Sequence, residues 1–271
     1  TLFRSWYEST TPSSRGRPQR YSDLAITTVL VIKRVFRLTL RAAQGFIDSI
    51  FTLMNVPLRC PDYTSVSKRA KSVNVSFKTF TRGEIAHLVI DSTGLKVFGE
   101  GEWKVKKHGQ ERRRIWRKLH LAVDSNTHEI ICADLSLNNV TDSEAFPGLI
   151  RQTHRKIRAA SADGAYDTRL CHDELRRKKI SALIPPRKGA GYWPGEYADR
   201  NRAVANQRLT GSNARWKWTT DYNRRSIAET AMYRVKQLFG GSLTLRDYDG
   251  QVAEAMALVR ALNKMTKAGM P

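Results

Sequence analysis

The sequence predicts an α/β fold, in which a mixed sheet flanked by helices follows a small all-helical region. The first observation is the order of apolar patterns from residue 84 onward: three strands, a helix, a strand, a helix, a strand and further helices. Helical crossovers require the later strands to join in parallel, whereas the first three strands can form an antiparallel meander. The second observation is that residues 22–71 contain three helical stretches and no strand pattern. The third is that 271 residues with 41% hydrophobic content suffice for one large domain or two ordinary ones.

The helical region begins at Ser22, which can cap a first helix with a broad apolar face. Residues 39–54 form a second helical stretch, and a short basic third one carries Lys68 and Arg69. Three helices with a basic third helix are compatible with a helix-turn-helix module in which Lys68 and Arg69 contact DNA. A plain helical bundle with a solvated charged face is the alternative. We predict residues 1–83 to be an N-terminal helical DNA-binding region.

A second domain, residues 84–271, contains the predicted strands. The short apolar run "AHLVID" is typical of a buried strand, and "KLHLAVD" and "HEIICADLSL" form two strands joined by the turn "DSNT". Thr141 and Glu144 have the spacing of a capping box at the start of a helix. Residues 188–221 are rich in Gly and Trp without a clear period, and we predict them to be an insertion.

The net charge of +22 and an isoelectric point near 10.3 indicate a polyanionic partner. Nucleic acid is the first candidate, and an anionic membrane surface is the second. The early apolar stretch "LAITTVLVIKRVF" is interrupted by Lys33 and Arg34 and is too short to span a membrane. The three cysteines include no CxxC pair, which argues against a disulfide framework and a cysteine zinc site. We expect a cytosolic protein in a reducing compartment.

Two acidic residues, Asp91 in "VIDSTG" and Asp163 in "SADGAYD", are predicted to end strands and to precede glycine turns. In α/β sheets the carboxyl ends of strands open onto the functional site. Converging carboxylates would repel one another unless a hard cation lay between them, and Mg²⁺ prefers oxygen ligands. The pattern is therefore compatible with metal-assisted cleavage of a phosphodiester. Turn or cap chemistry is the alternative for both residues, and we predict Asp167 to be the N-cap of a helix.

A third acid lies in the helical segment "YNRRSIAETAMYRVK", residues 222–236. At roughly 100° per residue, four polar residues fall on one face of a single helix: Tyr222, Arg225, Glu229 and Lys236. The opposite face carries an apolar core stripe, made of Ile227, Ala231, Val235 and Leu238. An exposed polar stripe is ordinarily only solvated, so the helix by itself leaves the role of Glu229 open.

The spacing of the four polar residues, Y-(2)-R-(3)-E-(6)-K, resembles the signature of bacterial DDE transposases of the insertion-sequence-five family. The segments "IDSTGLKVFGEGEWK" and "SADGAYDTRLCHDEL" are similar to the blocks around the two catalytic aspartates of that family. The resemblance implies an RNase H-like catalytic domain over residues 84–271, with Asp91, Asp163 and Glu229 as the metal-binding catalytic triad. It implies Mg²⁺ as the cofactor, with Mn²⁺ as a substitute.

The resemblance also implies a reaction and its partners. The family cleaves double-stranded DNA at the terminal inverted repeats of its element and transfers the strand ends into target DNA. Tyr222, Arg225 and Lys236 match positions that handle the DNA backbone near the cut, where Arg and Lys can clamp phosphates and Tyr can stack on a displaced base. The resemblance implies a nucleoid-associated bacterial protein without a membrane partner. It is also compatible with a homo-oligomer in a synaptic complex. Members usually have more residues before the helical region, so we expect this chain, which begins at Thr1, to be shortened.

A dense basic stretch, residues 104–118, separates the first two predicted strands. We predict a hairpin against DNA, with phosphate contacts from Lys104, Lys106, Lys107, Arg112, Arg113 and Arg114. A solvated loop is the alternative. The aromatic residues of the insertion either stack on distorted DNA or pack the insertion against the sheet; they are Tyr192, Trp193, Trp216 and Trp218.

Two other functions are compatible with the sequence. One is an RNase H-like nuclease that cuts without strand joining, and the other is a decayed transposase that only binds DNA. Joining of a precut end distinguishes a transposase from the nuclease. Metal-dependent nicking distinguishes it from the binding protein.

Overall fold

The structure is a computed structural model that describes residues 5–8, 19–77, 79–97 and 115–269. The chain divides into two compact units. The first contains the described residues within 1–78, 96–114 and 235–262, and the second contains those within 79–95, 115–234 and 263–271. In the described part of the chain, every helix is too short or too polar to cross a membrane.

The helices and strands follow the chain in the order in which they are numbered. The helices are α1 (Asp23–Val35), α2 (Leu40–Leu53), α3 (Tyr63–Arg69), α4 (Asp142–Arg151), α5 (Arg169–Arg177), α6 (Ala198–Thr210), α7 (Ala214–Thr219), α8 (Ser226–Phe239) and α9 (Tyr248–Lys267). The strands are β1 (Ile85–Val97), β2 (Trp116–Asp124), β3 (Ile130–Leu137), β4 (Ile157–Ser161), β5 (Ser181–Leu183) and β6 (Ser242–Leu243). Two 3₁₀ helices span Gly164–Tyr166 and Tyr222–Arg225.

The first unit contains the three helices predicted near the start of the chain. Ser22, Thr39 and Asp62 cap α1, α2 and α3, and each side chain accepts a hydrogen bond from a backbone N–H of the first turn. The apolar faces of these helices bury Leu30, Ile47 and other side chains in one cluster that also includes residues from α9. The sequence placed this last helix in the second predicted domain, whereas residues 235–262 belong to the first compact unit. The assignment of DNA binding to residues 1–83 stays a prediction.

A buried ionic cluster lies inside the first unit. Glu254 of α9 has a fully buried side chain and accepts hydrogen bonds from Lys33 Nζ at 2.6 Å and Arg34 Nη1 at 3.0 Å, both on α1. Thr244 Oγ1 donates to the same carboxylate at 2.7 Å. Burial alone would raise the pKa of Glu254, but the two cations outweigh burial and hold that pKa below its ordinary value. Lys33 and Arg34, which interrupt the apolar run in the sequence, are therefore core residues paired with one acid.

The second unit is built on a mixed sheet with the strand order β3-β2-β1-β4-β5. β2 and β3 are antiparallel, whereas β4 is parallel to both β1 and β5. The central strand β1 is buried on both faces at residues 88–90, and its Leu88 and Ile90 belong to one apolar cluster with Phe146 of α4 and Leu175 of α5. Full burial of each such side chain contributes about 1.5–3 kcal/mol. The predicted mixed sheet flanked by helices and preceded by a helical region is confirmed.

The structure corrects two local predictions and shows helices in a segment for which the sequence predicted none. β1 continues to Val97, where Lys96 and Val97 pair with Ser242 and Leu243 of β6, so Asp91 lies within a strand rather than at its end. Thr168, not Asp167, is the N-cap of α5. The segment 188–221 contains the helices α6 and α7, whose buried faces rest on few apolar side chains and therefore leave no clear period in the sequence.

We expect Glu254→Gln to lower the free energy of unfolding by about 3–5 kcal/mol, because it leaves Lys33 and Arg34 buried without their carboxylate. Urea unfolding followed by circular dichroism measures the change. Asp247→Asn is the matched control, since Asp247 pairs with Lys71 at 3.0 Å where both side chains are about half exposed. It should cost less than about 1 kcal/mol. Equal effects of the two substitutions would contradict a special role for the buried cluster.

Candidate active site

The parallel pairing of β1 with β4 places two acidic residues side by side. Val89 of β1 is opposite Ser161 of β4. Asp91 lies two residues after Val89, and Asp163 lies two residues after Ser161. The chain turns immediately after Asp163, whose Oδ1 accepts a hydrogen bond from the backbone N–H of Ala165 at 2.8 Å and so caps the 3₁₀ helix. Both acids therefore lie at the edge where the parallel ladder ends, which is the edge where α/β sheets carry their functional sites.

Arg225 joins the first of these acids to the acid of α8. Its Nη1 donates to Asp91 Oδ2 at 2.8 Å, and its Nη2 donates to Glu229 Oε1. Arg225 is the last residue of a 3₁₀ helix, and Glu229 lies in the first turn of α8, so the two are one helical turn apart. One guanidinium thus links two carboxylates that are far apart in the sequence.

Burial and charge act in opposite directions on these groups. Burial raises the pKa of Asp91 above its ordinary value, even though the Ser92 N–H and Arg225 favour the ionised carboxylate. Burial lowers the pKa of Arg225, but the Asp91 carboxylate and the other anionic neighbours outweigh it and raise the pKa. Arg225 is therefore held firmly as a cation. The Asp91 side chain is only 17% exposed, whereas the Glu229 side chain is 56% exposed.

A second set of polar groups surrounds Asp91 and was not identified from the sequence. Asp142, the first residue of α4, accepts a hydrogen bond from Ser92 Oγ at 2.9 Å and lies 3.4 Å from Lys118 Nζ. The Tyr166 hydroxyl is buried and has no hydrogen-bond partner within the described residues. Burial raises the pKa of Tyr166, and the charges of the nearby acids raise it further. The position of Ser92 directly after Asp91 was a usable signal, whereas Asp142 resembled an ordinary acid at a helix start.

The turn that follows Asp163 is anchored by a buried ion pair. Arg200 of α6 donates to the Asp167 carboxylate, with Nε to Oδ1 at 2.7 Å and Nη2 to Oδ2 at 3.2 Å. Its guanidinium lies 3.6 Å from the centre of the Trp193 ring, and His172 Nε2 lies 3.3 Å from Asp167 Oδ1. Burial would raise the pKa of Asp167, but the bonds from His172 and Arg200 hold it below its ordinary value. The segment 188–221 is therefore tied to the turn that carries Asp163.

The predicted polar face of residues 222–236 is only partly correct. Residues 222–225 form a 3₁₀ helix and α8 starts at Ser226, so the rotation of 100° per residue does not extend back to Tyr222. Tyr222 is buried against Trp216, with ring centroids 5.5 Å apart, and burial raises its pKa to about 12. Glu229 and Lys236 are exposed as predicted.

The predicted apolar stripe of α8 is shifted by one residue at both ends. Ala231 and Val235 are buried as predicted, whereas Ala228 and Phe239 are buried in place of Ile227 and Leu238. The buried set, which also includes Met232, keeps helical spacing from Ala228 to Phe239, so the core-facing stripe is rotated about the helix axis relative to the predicted one.

The remaining predicted DNA contacts lie on two segments. Lys68 is exposed on α3, and Arg69 donates to the backbone oxygen of Tyr21 at 2.8 Å and pairs with Asp23. The basic residues of the predicted hairpin fall outside the described residues; they are Lys104, Lys106, Lys107, Arg112, Arg113 and Arg114. In the insertion, Trp216 is buried and Trp218 is 78% exposed.

The carboxylates of Asp91, Asp163 and Glu229 are oxygen ligands of the kind that Mg²⁺ and Mn²⁺ prefer. Their chemistry therefore fits a hard divalent cation. In this conformation, however, the described His, Cys, Asp and Glu side chains form no group of three or more that could hold a metal ion. Arg225 instead bonds to two of the three carboxylates.

Comparison with known proteins gives one family. The family model described as the transposase DDE domain matches residues 82–264, and a second model with the same description matches residues 1–100. The chain is also similar to the piggyBac transposase in the cryo-EM structure of its synaptic complex with hairpin DNA, at 11% identity and a TM-score of 0.41, over 95% of this chain and 68% of that one. It is similar to a chain of the pre-cleavage Mos1 transpososome at 11% identity and a TM-score of 0.26, over 100% of this chain and 85% of that one.

We expect Arg200→Met to loosen the turn after Asp163, because it leaves the buried Asp167 carboxylate without its main partner. Hydrogen exchange of residues 164–166 should become faster, and the free energy of unfolding should fall by about 3 kcal/mol or more. Arg202→Met removes an exposed arginine from the same helix and is the matched control. Unchanged exchange of residues 164–166 in Arg200→Met would show that the ion pair does not anchor the turn.

Proposed function

Because the chain belongs to the transposase DDE domain family and is therefore a DNA transposase, we propose that Asp91, Asp163 and Glu229 form its active site. The observation that carries the proposal is the pair of hydrogen bonds from Arg225 to Asp91 and Glu229. The parallel register of β1 and β4, which puts Asp163 beside Asp91, also supports it. The proposed triad combines Asp91 of β1, Asp163 just after β4 and Glu229 of α8.

We also propose that the chain belongs to the insertion-sequence-five group of this family. The spacing of Tyr222, Arg225, Glu229 and Lys236 supports this finer assignment. The reaction would then be cleavage at the terminal inverted repeats of an element, followed by strand transfer into target DNA. The protein would act with the bacterial nucleoid, where both DNA partners are present.

DDE transposases generally depend on divalent metal ions, and Asp91, Asp163 and Glu229 are the residues that would hold Mg²⁺ or Mn²⁺ here. When bound, such an ion activates the attacking oxygen and offsets the charge that develops on the phosphodiester. The protein's own groups orient the substrate. Arg225 has the planar fork of donors that matches a phosphate, and Lys236 adds a second cation on the exposed side of α8. Tyr222 packs on Trp216 and so holds the backbone from which Arg225 extends.

We propose that basic residues other than Arg225 and Lys236 bind the DNA backbone away from the cleavage site. The net charge of +22 supports contacts with many phosphates, and Lys68, Arg69 and the basic stretch 104–118 are the proposed contact residues. We keep residues 1–83 as the proposed DNA-binding domain and residues 84–271 as the proposed catalytic domain, with the insertion at 188–221. A homo-oligomer assembled on DNA is part of the proposal.

We expect Asp163→Asn and Glu229→Gln each to reduce DNA strand cleavage by at least roughly a hundredfold, because each removes a metal-binding carboxylate. DNA affinity should stay nearly unchanged, since phosphate contacts come from other residues. A nicking assay on supercoiled plasmid with Mg²⁺, paired with an electrophoretic mobility shift, measures both quantities. Glu196→Gln is the control, because Glu196 is an exposed acid of the same unit. Normal cleavage by either active-site variant would contradict the assignment of Asp91, Asp163 and Glu229 as the catalytic triad.

DNA affinity should fall steeply with salt, because binding releases counterions from the DNA. For six or more phosphate contacts, the association constant should drop by about a thousandfold between 50 and 200 mM salt. Fluorescence anisotropy with a labelled duplex at several KCl concentrations gives the slope. A flat salt dependence would contradict the proposal that the basic surface binds the DNA backbone.

A further inference from the structure

Arg225 bonds to the same carboxylates that the proposed function assigns to a metal ion. One guanidinium nitrogen donates to Asp91 and the other donates to Glu229. The Arg225 side chain is 20% exposed and the Asp91 side chain is 17% exposed, so water screens the ion pair between them only weakly. The arginine thus neutralises an acidic cluster that would otherwise repel itself.

A metal ion and Arg225 cannot both bind these oxygens closely. A divalent cation bound to these carboxylates would repel the guanidinium at short range, and each of the two hydrogen bonds already takes one acceptor site of a carboxylate. The conformation described agrees with this competition, since the described acids form no ready group for a metal while Arg225 is bonded to them.

Arg225 also has a natural alternative partner. Its planar fork of donors binds a phosphate as well as it binds carboxylates, and the substrate of the proposed reaction is a chain of phosphates. Glu229 is more than half exposed, so the arginine can leave it without opening the core. Tyr222, packed on Trp216, keeps the backbone of the 3₁₀ helix in place while the side chain moves.

We propose that Arg225 is a placeholder for the metal ion. It occupies Asp91 and Glu229 in the DNA-free protein and keeps the affinity for divalent ions low. A DNA phosphate draws the guanidinium away and thereby raises the affinity of the site for the metal. This regulation rests on the proposed function of Asp91 and Glu229 as metal ligands. As a consequence, the active site binds the metal ion tightly only when DNA is bound. By linkage, metal and phosphate strengthen each other's binding.

The first test measures Mn²⁺ binding to DNA-free protein by electron paramagnetic resonance of the free ion. Arg225→Ala should bind Mn²⁺ more tightly than the wild type, on the order of tenfold, because the competing cation is gone. Arg225→Gln serves as a second variant that keeps a side chain of similar length, and circular dichroism checks that both are folded. Equal or weaker Mn²⁺ binding by the folded variants would overturn the placeholder role.

Arg224→Ala is the matched control for charge. Arg224 is the neighbouring residue of the same 3₁₀ helix, but its Nη1 donates to Asn126 Oδ1 at 3.0 Å and not to the acids. It removes the same positive charge, so the proposal expects Mn²⁺ affinity close to that of the wild type. A rise as large as that of Arg225→Ala would mean that general electrostatics, not a placeholder, controls the site.

The second test uses sulfate as a probe for the phosphate. Replacing NaCl by Na₂SO₄ at equal ionic strength should tighten Mn²⁺ binding to the wild type and have no such effect on Arg225→Ala. A sulfate effect of the same size in both proteins would overturn the proposal.

A separate assay tests the proposed function. Plasmid nicking by the wild type that needs Mg²⁺ and that Asp163→Asn abolishes keeps the transposase site, whatever the Mn²⁺ titrations show. For Arg225→Ala the placeholder role expects opposite changes, with tighter Mn²⁺ binding and slower nicking, because the same residue also clamps the phosphate.

Discussion

The parallel pairing of β1 with β4 is the constraint on which the candidate site depends. The pairing places Asp91 beside Asp163, although 71 residues separate them in the sequence. Because β1 is the central strand and is buried on both faces, its register cannot slip without exposing apolar side chains to water. The sheet therefore holds Asp91 and Asp163 rigidly, whereas Glu229, the third acid of the proposed site, lies on helix α8.

The parts of the site differ in how firmly they are held. The turn after Asp163 is anchored by the buried pair of Asp167 and Arg200, in which both charges are compensated. Glu229 is exposed and pairs with Arg225, whose guanidinium we propose to exchange this carboxylate for a phosphate. A rigid edge with one exchangeable cation is suited to a reaction in which the substrate and the metal carry opposite charges.

Much of the fold could be predicted because it follows from local rules. The cap at Ser22 and the box formed by Thr141 and Glu144 are present as predicted, since a cap depends only on residues within one turn. The prediction failed at Tyr222, where a short 3₁₀ helix precedes α8 and places the ring in the core. In the segment 188–221 the sequence predicted no element, because the helices α6 and α7 form around a few buried side chains that leave no period.

The sequence by itself determined that Asp163 follows a strand, the order of strands and helices, and the spacing that resembles a transposase signature. These are properties of near neighbours, and periodicity or short motifs record them. Only the tertiary structure decided that Arg225 bonds to Asp91 as well as to Glu229, and that Lys33 and Arg34 are buried with Glu254. The energy of a buried charge depends on which groups the fold brings within a few ångströms of it, and residues distant in the chain carry no local trace of that meeting.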